Sequence, residues 1–219
     1  MKTEIREDEV LRYLGYQGRE VDSATLAYIR ELKSEIQTYL TPKYVYGKWR
    51  CRVDPAGIVT IENIEITSKN LASHMAGCER VILFAATLGT QADTIIRRYN
   101  VSDSAKAAIA QAVCSVMLES CCDDLICRIS AGESAGDNYL KPRFSPGYGD
   151  FSLHHQKDVF SLLDCTKRIG ITLTDSFMMI PAKSVTALAG ITKEKHLNKE
   201  KCGSCGMQCK LRKECGYGD

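Results

Sequence analysis

The chain has no long apolar run, almost no net charge and no export signal, and each absence closes off a class of function. No stretch of about 18 apolar residues occurs, so no membrane-spanning helix is expected. The formal net charge is +2 with 26% charged residues, too weak a field to track nucleic-acid phosphates or an anionic membrane. The opening Met1-Lys2-Thr3-Glu4-Ile5-Arg6-Glu7-Asp8-Glu9 is too charged for a signal peptide, which makes the expected compartment the cytoplasm. There is no internal repeat, and neither a hydrolytic triad nor a proton-transfer dyad stands out.

Cysteine, by contrast, is abundant. Eleven occur in 219 residues, an odd total that, without an export signal, argues against a secreted disulfide framework. Seven (Cys51, Cys78, Cys114, Cys121, Cys122, Cys127, Cys165) fall in apparent core or helix segments, where reduced cysteine acts as a small hydrophobe. The other four crowd the end of the chain as Cys202-x-x-Cys205-x-x-x-Cys209-x-x-x-x-x-Cys215. Four thiolates so close in sequence suit one metal centre, tetrahedral zinc or an iron-sulfur cluster, and Lys201, Lys210, Arg212 and Lys213 would offset its negative charge. Spacing alone does not choose between the two metals, and a reduced tail without metal is the plainer alternative.

The order of elements is mixed. Leu26, Ile29, Leu32, Ile36 and Leu40 keep helical spacing from Asp22 to Leu40, and Pro42 follows as a stop. Tyr44 to Val53, the turn Asp54-Pro55-Ala56-Gly57, and β-branched Ile58 to Thr67 predict a hairpin. Ser68-Lys69-Asn70 opens a short helix ending near Gly77, and the apolar run Arg80 to Thr87 predicts a central strand covered on both faces. A helix follows Gly89 to about Tyr99, and Asp103 or Ser104 caps a long helix through about Ser130. The Gly/Ser-rich stretch from Ala131 to Asn138 reads as a loop, Asp158 to Cys165 as a short helix, and Ile171 to Phe177 as a strand. With no repeating βαβ unit, the pattern predicts an α+β fold: a twisted, largely antiparallel sheet packed with helices, covering residues 1–191, and a short Cys-rich tail over 192–219.

Two segments carry the chemistry. Arg143-Phe144-Ser145-Pro146-Gly147-Tyr148 places a permanently charged fork, a rigid Pro-Gly turn and an aromatic face within six residues, as a small zwitterionic ligand with a flat ring requires. Downstream lies Gly170-Ile171-Thr172-Leu173-Thr174-Asp175-Ser176-Phe177-Met178-Met179-Ile180-Pro181. Each residue also has an ordinary explanation. A lone arginine before a turn is usually a surface ion-pair partner, Tyr148 can plug its turn against the core, and Met178 and Met179 suit packing. His154-His155 suggests a metal or corrinoid ligand, yet adjacent histidines near a helix start are usually only exposed.

Together the two segments, with Leu162-Leu163 between them, resemble the S-adenosylmethionine-binding activation domain of cobalamin-dependent methionine synthase over about forty-five residues. The resemblance extends weakly upstream to Arg12-Tyr13-Leu14 and to the helix bearing Glu119. It implies that Arg143 holds the ligand's carboxylate, that Glu119 pairs with its ammonium, and that Tyr148 packs on the adenine or sulfonium side. The backbone of Ser145, Pro146 and Gly147 would bond the base. A ring face near the sulfonium would contribute roughly 0.5 to 2 kcal/mol. No residue is expected to act as acid, base or nucleophile.

The function so implied is reductive methylation: one electron and the methyl of S-adenosylmethionine restore methylcobalamin from cob(II)alamin. The chain itself lacks an Asp-x-His-x-x-Gly cobalamin-ligand motif, and Cys121-Cys122 lacks the preceding Gly-Gly of the homocysteine zinc site. The cobalamin is therefore expected on a partner, the cobalamin-binding module of methionine synthase or another corrinoid protein. This chain would act in trans as a stand-alone activation subunit, with flavodoxin or ferredoxin as possible electron donor. A corrinoid-protein reductase using the cysteine tail, or a zinc-bearing adaptor, are the alternatives. Two departures from the family pattern are Gly149-Asp150-Phe151, where the long enzymes carry more proline, and the short run Ala182 to Ile191 with no counterpart of a downstream aromatic.

Overall fold

The computed structural model describes residues 4–16, 19–134 and 136–193. In chain order these form α1 (Glu7–Tyr13), α2 (Ser23–Tyr39), β1 (Lys43–Val53), β2 (Ile58–Ile61), β3 (Ile64–Thr67), α3 (Lys69–Met75), β4 (Arg80–Thr87) and α4 (Thr90–Ser102). Then follow α5 (Ser104–Ser134), β5 (Tyr139–Leu140), α6 (Gln156–Leu163), α7 (Cys165–Ile169), β6 (Thr172–Leu173), β7 (Met179–Ile180) and β8 (Ser184–Thr192). Six strands make one sheet in the order β3-β2-β1-β4-β8-β5, and β6 pairs with β7 separately. The β1–β2, β2–β3 and β5–β8 pairs are antiparallel, so the expected α+β class with a largely antiparallel sheet is what forms.

The chain divides into two compact units. One takes in the residues up to Val45, Ala85–Arg128 and Leu163–Val185; the other takes in Tyr46–Phe84, Ile129–Leu162 and the chain from Thr186 onward. In the first, the Asp22 side chain accepts from the Thr25 amide at 2.8 Å and starts α2, which buries Ile29, Leu32 and Ile36. Glu31 of α2 accepts from Lys106 of α5 at 2.8 Å, and Glu35 accepts from Tyr99 of α4 at 2.6 Å and from Arg98. Asp103, one of the two caps expected for α5, receives the amides of Ala105 and Lys106 at 3.0 and 3.1 Å. By length and composition alone α5 could cross a membrane, but 61% of its most apolar window is buried, as in a core helix.

In the second unit the sheet carries the core. Val81 to Phe84, the apolar part of β4 that falls in this unit, are buried without exception, as the sequence predicts for a central strand. Two expectations change here. Ile58 to Thr67 is two strands, because Glu62 takes a left-handed φ of 52° and turns the chain back on itself, which makes a three-stranded meander of the expected hairpin. The Gly/Ser stretch expected to loop from Ala131 begins instead as the last turn of α5, which runs to Ser134.

The largest addition is β8, which the sequence does not suggest. In Ser184-Val185-Thr186-Ala187-Leu188-Ala189-Gly190-Ile191-Thr192 the β-branched ends flank a small, weakly strand-forming Ala-Leu-Ala-Gly centre, yet all but Val185 are buried. Gly190 is required by its surroundings: a Cβ there would lie 2.5 Å from Cys78 Sγ and 3.0 Å from Met75 Sδ. Further along, the strand expected over Ile171–Phe177 shrinks to Thr172–Leu173, because Phe177 adopts φ 63° and closes a tight turn onto Met179–Ile180.

Candidate functional site

The segment from Lys141 to Asp150 is built onto β8 at its start and onto α3 at its end. The Lys141 amide donates to the Gly190 carbonyl at 2.8 Å, and Phe144 and Leu188 exchange backbone bonds at 2.9 and 2.8 Å. Arg143, partly buried, sits between these anchors. The Tyr148 amide then closes onto the Ser145 carbonyl at 3.1 Å, with Pro146 and left-handed Gly147 (φ 98°) in the central positions, the signature of a type II turn. Gly147 donates to the Phe151 carbonyl at 2.7 Å and Phe151 to the Tyr148 carbonyl at 2.9 Å, which ties the turn to the chain leading into α6. Five of the six residues expected to hold ligand, Arg143, Ser145, Pro146, Gly147 and Tyr148, thus share one fixed stretch.

An aromatic file supports it. Phe144 stacks on His74 at 5.0 Å and on Phe151 at 6.2 Å, and it meets the Tyr148 ring edge-on at 6.0 Å. Phe151 is buried, whereas Tyr148 is 56% exposed, so the turn is not plugged by its own tyrosine. His155 stacks on Phe151 at 5.6 Å and its Nδ1 bonds Asp158 at 2.6 Å, so it helps hold the aromatic file and the start of α6, whereas His154 is exposed as expected.

The Gly149-Asp150-Phe151 departure has a structural reason. The Asp150 carboxylate accepts from the Ser68 hydroxyl and from the Lys69 and Asn70 amides at 2.8 and 3.1 Å, so it caps α3 from 80 residues away. The Ser68 hydrogen bond, with the two amides behind it, holds the Asp150 carboxyl below the usual carboxylate range. Gly149 (φ 55°) leaves room for this approach, since a Cβ there would lie 2.9 Å from Asn70 Cγ. Asp150 was not expected to matter, and the sequence carries no signal pairing it with Ser68.

Glu119 lies on α5 in the first unit, partly buried. Its electrostatic neighbour is Tyr13 of α1, whose phenol is pushed up first by burial and then by the Glu119 charge. Arg12 pairs with Glu9 at 2.7 Å and lies 5.0 Å over the Tyr13 ring, so Arg12-Tyr13 and Glu119, read from sequence as parts of one pattern, share a neighbourhood.

The second motif segment, also in the first unit, is closed by its own polar groups. Thr174 and Met178 exchange bonds at 2.9 and 3.1 Å, Phe177 donates to Thr174 at 2.9 Å, and Thr174 and Ser176 share a hydroxyl bond at 2.9 Å. After a cis Ile180–Pro181 bond, Ala182 donates to Asp93 at 3.1 Å and the Lys183 ammonium donates to Ser115 Oγ at 2.8 Å and the Gln111 carbonyl at 3.2 Å. Burial pushes the Lys183 pKa down. Met178 and Ile180 are exposed at 60% and 51%, so Met178 does not pack as expected.

Burial pushes the thiols of Cys51, Cys114 and Cys165 up to about 12 and that of Cys121 up to about 11. Their burial suits the small-hydrophobe role expected of them, whereas Cys127 is exposed. Among the described residues no group of three or more His, Cys, Asp or Glu side chains is placed to hold a metal. Cys202, Cys205, Cys209 and Cys215 lie outside the described residues.

The family model described as "Vitamin B12 dependent methionine synthase, activation domain" matches residues 67–197, more than half of the 219-residue chain. The chain belongs to that family. Among solved structures, the crystal structure of the MetH reactivation domain bound to AdoHcy matches with a TM-score of 0.61 at 16% identity, over 84% of this chain and 70% of that one, and so has the same fold. None of the curated proteins matches.

Proposed function

We propose that the chain binds S-adenosylmethionine at the Arg143–Tyr148 segment and supports reductive methylation of cob(II)alamin carried by a separate protein. The observation that carries this is the turn itself: inside the family match, Ser145–Tyr148 is closed and pinned, with Arg143 beside it and the Tyr148 ring offered to solvent. The related reactivation domain holding AdoHcy, the demethylated product of that chemistry, supports the same choice of ligand.

The chemistry asks little of the protein beyond positioning. Reduced cobalt supplies the nucleophile, and one electron from an external donor, flavodoxin or ferredoxin, together with the sulfonium methyl yields methylcobalamin and S-adenosylhomocysteine. Arg143 grips the carboxylate with its planar fork, the Ser145–Gly147 backbone bonds the base, and Tyr148 lies against the adenine or the sulfonium. Holding the methyl donor in one pose converts a chance encounter into an oriented one. The part implied for Glu119, pairing with the ammonium, comes from the resemblance alone and has its own variant, Glu119→Gln.

The partner is the cobalamin-binding module of methionine synthase or another corrinoid protein. The body of the chain to about residue 191 carries the ligand chemistry. The tail cysteines 202, 205, 209 and 215 hold one iron-sulfur or zinc centre. Iron and sulfide, or zinc, in anaerobically purified protein tests the last point.

Calorimetric titration with S-adenosylmethionine tests the core of the proposal. Arg143→Ala is expected to weaken binding by about 2 to 4 kcal/mol, as when a charged hydrogen-bonding group loses its partner. Unchanged affinity in a folded variant contradicts the assignment.

A further inference from the structure

Helix α3 touches the ligand segment at three places along its length. Near its C-terminus the Ala76 carbonyl accepts from the buried Lys141 ammonium at 2.6 Å. Two residues earlier, His74 Nε2 donates to the Pro142 carbonyl at 2.8 Å while its ring stacks on Phe144. At the other end, Ser68 and the Lys69 and Asn70 amides take the Asp150 carboxylate. From Ser68 to Ala76 the helix axis spans roughly 12 Å at 1.5 Å per residue, so both ends of the 141–150 segment are held on one rigid rod. The turn between them has no freedom to open without breaking a contact at one end.

We propose that α3 is a splint that sets the shape of the Ser145–Tyr148 turn, and that Asp150 is the positioning residue that closes it. Asp150 touches no ligand; it acts on affinity by keeping the turn in its binding shape, and this extends the S-adenosylmethionine assignment made above. Gly149, with its left-handed backbone against Asn70, makes the closure sterically possible.

Asp150→Ala and His74→Ala each remove one attachment, and Asp150→Asn retains one acceptor oxygen. Two readouts are combined: S-adenosylmethionine affinity by calorimetry, and hydrogen exchange at the Gly147, Tyr148 and Phe151 amides. Asp150→Ala is expected to weaken binding at least tenfold and to speed exchange at those three amides, with Asp150→Asn intermediate and β4 amides unchanged. A folded Asp150→Ala protein whose affinity stays within twofold of the parent overturns the splint, even if its melting temperature falls. Should Asp150→Ala fail to fold, His74→Ala is read by the same criteria. If the parent protein does not bind S-adenosylmethionine at all, the ligand assignment fails. Exchange then decides the splint alone: faster exchange at Gly147 and Phe151 supports it and unchanged exchange overturns it.

Discussion

The two segments that carry the family pattern, 141–150 and 170–181, are equally visible in the sequence and are held in opposite ways. The first depends on distant chain: its anchors are Leu188 and Gly190 on β8 and Ser68 to Ala76 on or beside α3. The second is tied mainly to itself, through Thr174, Ser176, Phe177 and Met178 within five residues, and joins its unit at its two ends, where Thr166 bonds Gly170 and Ile171 and Ser184 bonds Pro181. A turn fixed by remote partners inherits the stability of the fold around it. A turn fixed by its own hydroxyls depends less on its surroundings, and leaves Met178 and Ile180 exposed. A motif therefore records which residues recur together but not what holds them.

The two units, each with one of these segments, should also differ in response to alkali. Cys114, Cys121 and Cys165 belong to the first unit and Cys51 to the second, all with thiols raised by burial to between about 11 and about 12. A raised thiol stabilises the fold fully below its unfolded value near 8.5 and loses that contribution as pH climbs toward its folded value. Each such thiol should therefore remove about 1.4 kcal/mol per pH unit between roughly pH 9 and 11. Urea denaturation across that range should show a falling midpoint, and hydrogen exchange should rise first in the first unit. A flat midpoint, or earlier exchange in the second unit, breaks the contrast.

Gly190→Ala sharpens it from the other side. The added Cβ meets Cys78 and Met75, against α3, and is expected to cost about 1 to 3 kcal/mol by overpacking. It should disturb the 141–150 turn, seen as faster exchange at Gly147, while Phe177 and Met178 amides stay as they were. Thr174→Val has the smallest expected effect. Losing the hydroxyl that accepts from the Met178 amide costs about 0.5 to 1.5 kcal/mol, with faster exchange confined to the 172–180 hairpin. Spread of that change to the 145–148 turn would show that the two segments are not independent.

How much of this was legible depends on the range of the interactions. The amphipathic spacing of α2, the polar Ser68-Lys69-Asn70 opening of α3, the apolar run of β4 and the Asp103 cap of α5 are local, and each formed where the residues placed it. β8 was hidden because Ala187, Ala189 and Gly190 are weak strand formers, and only the closeness of Cys78 and Met75 in the fold shows why Gly190 is needed. Glu62 and Phe177 broke expected strands by taking left-handed backbone, which no side-chain pattern announces. In the site, Pro146-Gly147 predicted its turn from local chemistry. Asp150, whose partners lie about 80 positions earlier, could not be found that way.

In the proposed function the methyl donor binds at the Pro-Gly turn beside Arg143. Titrating the isotopically labelled protein with S-adenosylmethionine, and following each backbone amide by NMR, tests it most directly. Saturable shifts centred on Ser145, Gly147 and Tyr148, absent in Arg143→Ala, are the expected result. Shifts that leave those amides still while moving others would contradict it.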